Sequence, residues 1–299
     1  MFKKLFLNAF LVSLLFAAPS LAGAVGCDAD TTFLTHANGV DAATTFTDEN
    51  CDGSGAKTIT AGANAQVDTA VKKFGTGAAL LDGVLDNLTV PDDAAWDFLA
   101  SNTGTRTIDW WINFSASGFQ TVFWQGTNTA NYWQITFDTG GMGMYSEVAG
   151  VAIINTARGG TFSASTWHHV AFIKKGDGST KEIGIYLDGA QVKYLADADV
   201  GDFAGTLYIG SDNSGLFSIV GSMDEIHFSN SNYFNASPNV GLTDTIIVPS
   251  AEYEANTRRR FIIGYKTSNK WLRAELVKAL ATEDDVYSFN YNGEKYILN

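Results

Sequence analysis

The sequence has few of the residues that cross-link, kink or charge a chain. Two cysteines and four prolines occur among 299 residues, and charged side chains make up 17%. With two cysteines the chain can form one internal disulfide at most. General disorder is not expected, since apolar residues make up 45% and are sufficient for a substantial core.

Positive charge is scarce. Nineteen Lys and Arg residues face thirty-two Asp and Glu residues, which gives a formal net charge of −13. Nucleic acids and anionic membrane surfaces are polyanions that attract basic proteins. Neither is therefore expected to be the main partner.

Long apolar runs are confined to the N-terminus. Lys3 and Lys4 precede an apolar run at 5–18, and small residues at 22–24 offer a cleavage site. This pattern predicts a signal peptide over 1–24, because the run is too short for a stable membrane span. We expect no other membrane span and a mature protein that is secreted, periplasmic or on a cell or virion surface.

The two cysteines, Cys27 and Cys51, both fall in the exported part. An oxidising compartment favours one disulfide between them. The alternative is that Cys27 is lipidated, because residues 24–27 loosely resemble a lipoprotein processing site. The sequence leaves both readings open.

Between about residues 58 and 228, short apolar or alternating segments recur with Gly, Asp, Asn and Ser between them. No long helical period interrupts them, although 92–99 could form one helical turn. This pattern is typical of an all-β sandwich. The predicted strands are 58–60, 78–81, 87–90, 107–114, 121–125, 132–138, 142–147, 151–155, 167–174, 183–187, 191–195, 206–209 and 217–228.

The composition changes after residue 230. We predict a β-sandwich domain at 25–230, a linker rich in Asn, Ser, Gly and Pro at 231–249, and a small α+β unit at 250–299. Within this last unit the sequence predicts a strand at 261–265, an amphipathic helix at 270–281 and a hairpin at 286–299.

One hairpin and several shorter blocks carry a family resemblance. Residues 166–189 read TWHHVAFIKKGDGSTKEIGIYLDG, which alternates like two half-buried antiparallel strands. The chain resembles laminin-G-like, concanavalin A-like domains in this hairpin and in further blocks that follow the family's order: KFGTGA at 73–78, LLDG at 80–83, DNLTVP at 86–91, TLYIG at 206–210 and GSMDEI at 221–226.

The resemblance implies a concanavalin A-like antiparallel β-sandwich, or jelly roll. It also implies a function class, because such domains occur in secreted bacterial proteins and in bacteriophage virion proteins. There they are usually carbohydrate- or protein-binding modules.

The same resemblance raises the possibility of calcium. Relatives often hold this ion where the first and last strands meet, which implies Asn38, Asp224 and backbone carbonyls as ligands here. Asn38 stands where the family usually has Asp, so the site would be weaker. The alternative is that Asp224 makes ordinary turn or surface contacts at a strand end.

Catalysis is not expected. The glucanases of this fold carry several carboxylates on one strand, and glycoside cleavage needs two of them flanking the bond. The nearest segment, 225–229, reads EIHFS and lacks the second Glu. His168 and His169 are neighbours on a strand, so they should point to opposite faces and not share a metal ion.

Aromatic residues make up 13% of the chain. In the adjacent pairs Trp110-Trp111 and Tyr132-Trp133, one ring should enter the core and the other should point outward. Sugar rings stack on exposed aromatic rings while amides and carboxylates bind their hydroxyls. The candidate ligand-binding residues are Asn128, Asn131, Trp133, Asp212 and Asn213.

These observations favour an exported, non-catalytic binding module for a glycan or cell-surface ligand, such as a lectin-like adhesion or virion-surface protein. The alternative is a structural or assembly protein, in which the sandwich packs against other subunits and binds no sugar. A glycoside hydrolase is the third reading.

Overall fold

The computed structural model describes residues 27–99, 104–115, 118–155, 158–176, 182–196 and 203–253, and strand backbones at 260–267, 270–278, 287–291 and 294–298. The signal-peptide prediction for 1–24 lies outside these residues. The strands are β1 Thr31–Thr35, β2 Thr60–Gly62, β3 Gln66–Asp68, β4 Ala78–Asp82, β5 Asn87–Val90, β6 Arg106–Phe114, β7 Gln120–Asn128, β8 Asn131–Asp138, β9 Gly141–Val148, β10 Val151–Asn155, β11 Trp167–Lys175, β12 Glu182–Leu187, β13 Ala190–Ala196, β14 Leu207–Ile209, β15 Val220–Ser229, β16 Arg260–Thr267, β17 Lys270–Lys278, β18 Tyr287–Tyr291 and β19 Glu294–Leu298.

Two antiparallel sheets form a sandwich. The eight-stranded sheet runs β13-β12-β11-β6-β15-β4-β3, and β1 also pairs with β15. The seven-stranded sheet runs β10-β9-β8-β7-β14-β5-β2. A 3-10 helix, Ala94–Trp96, is the one helix among the described residues, and it confirms the single turn predicted at 92–99. No described helix is long and apolar enough to cross a membrane.

The core lies between the two sheets and is built by alternation. On β11, Val170 and Phe172 enter the core, and on the paired β12, Ile185 does the same. The predicted central hairpin is therefore confirmed. Trp110 is fully buried between the sheets, where its ring centroid lies 4.8 Å from that of Phe123.

Cys27 and Cys51 form the predicted disulfide. It packs with Leu34 of β1 and with Tyr233 and Tyr253 from the segment that follows β15. Because Cys27 is bonded to Cys51 in this structure, its sulfur does not carry a lipid here.

Residues 230–253, which we call the strap, pack along the outer face of the eight-stranded sheet. Ala236 and Ile246 of the strap bury Ala171, Ile173 and Tyr186. The Tyr186 hydroxyl donates to Asp244 at 2.6 Å. The segment 231–249, for which the sequence indicated a linker, thus covers one face of the sandwich.

The C-terminal residues form a separate four-stranded antiparallel sheet in the order β16-β17-β18-β19. The strand predicted at 261–265 and the hairpin predicted at 286–299 are confirmed by β16, β18 and β19. The helix predicted at 270–281 is wrong over Lys270–Lys278, which is β17. The described part of this unit is therefore all β, not α+β.

The wrong assignment of 270–278 to a helix has a physical reason. Leu272, Ala274 and Leu276 alternate with Arg273 and Glu275, which suits a strand as well as a helix. Pairing with β16 on one side and β18 on the other supplies hydrogen bonds that the sequence pattern does not reveal.

Candidate functional site

The two outer faces of the sandwich differ in what covers them. The strap lies on the outer face of the eight-stranded sheet, where it buries Ala171, Ile173 and Tyr186. On the seven-stranded sheet the described residues include no comparable covering segment. This second face is therefore the place to look for a ligand.

Four aromatic side chains from four strands point outward there: Trp124 of β7, Tyr132 of β8, Tyr145 of β9 and Tyr208 of β14. We call them the aromatic face. Each one is next to residues that enter the core, for example Leu207 and Ile209 beside Tyr208. Strand alternation therefore turns each aromatic away from the core.

The four rings contact one another. Trp124 stacks on Tyr132 with centroids 5.8 Å apart and meets Tyr208 edge-on at 5.6 Å. Tyr132 and Tyr145 lie 5.9 Å apart. Cross-strand aromatic pairs of this kind stabilise a sheet. Together they form an apolar platform in which the three tyrosines are half-buried and Trp124, which is 4% exposed, packs between them.

The platform carries negative charge. The Tyr145 hydroxyl donates to Glu147 at 2.5 Å, and this hydrogen bond is the main cause of a raised Tyr145 pKa. Burial, followed by the charge of Glu147, raises the pKa of Tyr132 to about 12. Asp212 adds to that shift, so its charge also acts on the platform.

The structure places the predicted ligand residues in different environments. Asn128 and Asn131 lie at the exposed β7–β8 turn, where Asn128 accepts a hydrogen bond from the Asn131 amide at 3.2 Å. Asp212 and Asn213 lie in the turn after β14, and Asp212 accepts from the Ser214 hydroxyl at 2.8 Å.

The prediction that Trp133 binds a ligand is wrong. Its exposed fraction is 1%, and its indole N–H donates to the Gln125 side chain at 2.6 Å. The ring is part of the core and offers no surface to a ligand. In the pair Tyr132-Trp133, the outward ring is Tyr132, and the sequence did predict that one ring of the pair would point outward.

The pair Trp110-Trp111 behaves in the same way. Trp110 is in the core, whereas Trp111 points out of the eight-stranded sheet. The Lys73 ammonium lies 3.8 Å from the centroid of a Trp111 ring, and Phe74 packs edge-on at 5.7 Å. Lys73 and Phe74 thus lie over this outward tryptophan.

The predicted calcium ligands are engaged with protein donors. The Asn38 side-chain oxygen accepts from the Thr76 N–H at 2.5 Å and from the Gly77 N–H at 3.3 Å. Asp224 accepts from the backbone N–H groups of Lys73 at 2.8 Å and Phe74 at 3.0 Å. Calcium prefers six to eight oxygen ligands with free lone pairs, and this donor set does not fit one. Calcium binding at Asn38 and Asp224 stays an untested prediction from the family resemblance, and this donor set leads us to expect none.

Asp224 is also unusual in its proton affinity. Burial raises its pKa to about 7 despite the hydrogen bond from Phe74, and the neighbouring Glu225 adds to the increase. A carboxyl group with a pKa of about 7 is about half protonated at neutral pH, which weakens it as a ligand for calcium.

A different group comes together beside it. His36, Glu225 and Glu252 place their ligand atoms within 4.8 Å of one another. The His36 Nδ1 atom lies 2.7 Å from the Glu225 carboxylate, which accepts its proton in the ion pair, and Glu252 accepts from the Asn38 amide at 2.6 Å. Burial alone would lower the His36 pKa, but Glu225 outweighs it and the pKa is raised. The arrangement is an ion pair that joins β1 to β15.

A second buried cluster lies under the strap. The Asp109 carboxylate is fully buried and contacts His227 at 2.7 Å, His169 at 3.1 Å and the Tyr253 hydroxyl. Burial opposes ionisation of Asp109, but His227 and His169 reverse this and lower its pKa. Asp109, His169 and His227 are at most 1% exposed, so the cluster offers no surface to a ligand and its contacts join the strap to the sheet.

His168 and His169 point to opposite faces, as predicted. His168 contacts Asp188 at 2.7 Å, whereas His169 contacts Asp109 under the strap. The two rings share no partner among the described residues. Each histidine is therefore explained by packing and hydrogen bonding.

Comparison with known proteins gives the family. The family model for the concanavalin A-like lectin/glucanases superfamily matches residues 82–233. No curated protein sequence matches the chain.

Several solved structures share the fold at low identity. A receptor binding domain is 10% identical with a TM-score of 0.50, over 91% of this chain and 73% of that one. The botulinum neurotoxin serotype D binding domain is 12% identical with a TM-score of 0.48, over 90% and 72%. Domain 4 of an extracellular arabinanase from Geobacillus stearothermophilus, solved with arabinotriose, is 16% identical with a TM-score of 0.48, over 73% and 94%. Taken with the family match over half of its length, the two facing antiparallel sheets place the chain in the concanavalin A-like lectin/glucanases superfamily.

Proposed function

We propose that this protein is an exported, non-catalytic carbohydrate-binding module whose ligand lies on the aromatic face. The observation that carries the proposal is the platform on the seven-stranded sheet, where the half-buried rings of Tyr132, Tyr145 and Tyr208 surround Trp124 and no segment among the described residues covers them as the strap covers the other sheet. Aromatic rings offer apolar faces to the C–H groups of a sugar ring. Polar side chains beside them can bind its hydroxyls.

Polar groups surround the platform at suitable positions. Gln134 lies between Trp124 and Tyr145 in the sheet register, and Thr89 lies opposite Tyr208. Both are half-buried, so their amide and hydroxyl groups are partly accessible. Together with the rings they make a surface that combines stacking and hydrogen bonding.

A binding role is supported by the similarity to a receptor binding domain, whose TM-score is 0.50. Export is supported by the disulfide, since such bonds persist in oxidising compartments.

The absence of catalysis is proposed from the positions of the closing-strand carboxylates. Asp224 and Glu225 belong to β15 in the eight-stranded sheet, away from the aromatic face. Glu225 contacts His36 and accepts from the Tyr253 N–H at 2.7 Å. Neither carboxylate can flank a sugar bound on the opposite sheet.

An assembly role is the second candidate, and one observation favours it. Large apolar side chains are exposed where three loops meet at one end of the sandwich. Leu216 is 74% exposed and Leu85 is 52% exposed. Phe119 and Phe217 contact each other with centroids 5.1 Å apart. Exposed apolar clusters of this kind often mark protein interfaces.

A glycan array tests the proposal. Wild-type protein should bind one or more glycans, and Trp124→Ala should weaken that binding by about tenfold or more. Tyr145→Ala, at a half-buried position, provides a second variant in case Trp124→Ala fails to fold. The matched control is Trp111→Ala, which removes an outward tryptophan from the opposite sheet.

The outcomes separate the candidates. Binding lost with Trp124→Ala and kept with Trp111→Ala supports the aromatic face. No binding at high protein concentration, together with stable oligomers that dissociate on Leu216→Ser, would favour the assembly role. Release of reducing sugar from a bound glycan would contradict the non-catalytic reading.

A further inference from the structure

The aromatic face is elongated across the strands. In the sheet register Tyr208 lies opposite Trp124, Trp124 opposite Gln134, and Gln134 opposite Tyr145. These four side chains form one row that crosses β14, β7, β8 and β9. The two tyrosines at its ends are three strand spacings apart, or about 14 Å.

The row continues with polar residues at both ends. Thr89 of β5 lies opposite Tyr208, and Asn155 of β10 lies opposite Tyr145. Tyr132 lies beside the row and contacts both Trp124 and Tyr145. A single sugar ring would cover about one strand spacing, so the row suits a chain of about three or more rings.

The aromatic face has two negatively charged side chains near its rings, Glu147 and Asp212. Glu147 accepts the Tyr145 hydroxyl, and the charges of both Glu147 and Asp212 act on Tyr132. Carboxylates at these positions would repel sulfate, sialic acid or uronic acid groups. The repulsion is strongest at low ionic strength, where screening is weak.

Among the described contacts, one positively charged side chain lies on the same sheet face. This is Arg158, and it already has protein partners. Arg158 donates to the Thr136 hydroxyl at 2.7 Å, and its guanidinium lies 3.2 Å from the Asp138 carboxylate. Its charge centre also lies 5.2 Å from the centroid of the Phe119 ring. Arg158 is therefore held by protein partners and is not positioned to receive an anionic sugar.

From the row and its charges we infer that the ligand is an uncharged oligosaccharide or polysaccharide of about three or more rings, lying across the strands, and that anionic glycans are excluded. This inference rests on the proposed function and narrows its ligand class. The half-buried rings of Tyr132, Tyr145 and Tyr208 provide attraction that needs no charge on the ligand, and Trp124, which is 4% exposed, packs against Tyr132 and Tyr208 and holds them in place. Glu147 and Asp212 provide the discrimination against anions.

The test compares glycans that share a backbone and differ in charge. The probes are hydroxyethylcellulose against carboxymethylcellulose, dextran against dextran sulfate, and linear neutral glucans, mannans, xylans and arabinans of one to six rings. Binding is measured at low salt by affinity electrophoresis and titration calorimetry with the full mature chain. Melting temperatures verify that each variant is folded.

We expect a neutral glycan to bind at least about tenfold more tightly than its anionic counterpart. Affinity should rise with chain length up to about three or four rings and then level off. In the double variant Glu147→Gln and Asp212→Asn, the preference for the neutral glycan should shrink several-fold. Both substitutions keep an oxygen that can accept the Tyr145 or Ser214 hydroxyl, so the local hydrogen bonds are retained.

Failure of the inference is distinguishable from failure of the proposed function. Anionic glycans that bind as tightly as neutral ones, with binding still lost in Trp124→Ala, would overturn the ligand class alone. A monosaccharide that binds as tightly as a tetrasaccharide would overturn the extended row. Binding of no glycan, or binding that Trp124→Ala leaves unchanged, would overturn the proposed function itself.

Discussion

Tyr253→Phe is expected to lower the free energy of unfolding, because it removes one hydrogen bond between the strap and the sheet. Tyr253 lies in the strap with an exposed fraction of 2% and donates its hydroxyl to the buried Asp109 carboxylate. The substitution keeps the ring and removes the donor. Asp109 keeps its contacts with His227 at 2.7 Å and His169 at 3.1 Å, so its charge remains paired.

The expected cost follows from these contacts. A hydrogen bond to a charged group contributes about 1.5–3 kcal/mol, so Tyr253→Phe should lower the free energy of unfolding by about that amount. Asp109→Ala should cost more, about 3–5 kcal/mol, because it leaves two histidines and one tyrosine without their buried acceptor.

Urea denaturation at pH 7 measures both values from the transition midpoint and its slope. The matched control is Tyr194→Phe, since the Tyr194 hydroxyl donates to Glu182 at 3.0 Å near the surface. That change should cost less than about 1 kcal/mol. If Tyr253→Phe costs no more than Tyr194→Phe, the Asp109 cluster does not hold the strap, and the reasoning is refuted.

Three further predictions concern stability. Asp224 has a pKa of about 7, raised mainly by burial, so its protonated form favours the folded state. The free energy of unfolding should therefore fall by about 2–3 kcal/mol from pH 5 to pH 8. The variant Asp224→Asn should show a smaller fall. The raised pKa of His36 acts in the same direction, and an unfolding free energy that increases over this range would contradict both. Thermal melts in excess calcium and in EGTA should coincide, because the oxygens of Asn38 and Asp224 already accept backbone hydrogen bonds. A melting temperature that rises clearly with calcium would show instead that the protein binds the ion. Removing both Cys27 and Cys51 should cost about 3 kcal/mol, and a lipid found on Cys27 by intact mass would contradict the bridge.

Much of the sandwich could be predicted because alternation is a local signal. The predicted strands 87–90 and 151–155 coincide with β5 and β10, and the central hairpin has the expected partners. β3 was missed because it has three residues and lies among polar neighbours. β17 was assigned to a helix because its apolar spacing fits both periods, and sheet pairing decided between them.

The candidate site was harder to predict for a different reason. Alternation within each strand predicts that one ring of Tyr132-Trp133 points outward, but not that Tyr132 is the one. The row from Tyr208 to Tyr145 depends on the register of four strands, which is a long-range property. The sequence contained a signal for Tyr145 and Tyr208, since each stands between core-facing residues.

The strap shows the same limit. Its composition indicated a linker, yet Ala236, Ile246 and Tyr253 are buried against the sheet. Their partners, including Asp109 and Tyr186, lie more than fifty residues away in sequence. Contacts between residues so far apart in sequence do not produce a periodic pattern of apolar residues within a polar segment. The packing of 231–249 therefore could not be read from its own residues.

The most direct test of the central claim is where a bound glycan lies. The chain has seven tryptophans, so two-dimensional NMR of the ¹⁵N-labelled indoles gives a small set of signals that Trp124→Phe and Trp111→Phe assign. On titration with a neutral oligosaccharide found on the array, we predict that the Trp124 signal shifts and the Trp111 signal does not. A shift of Trp111 with Trp124 unchanged would place the ligand on the other sheet and contradict the account.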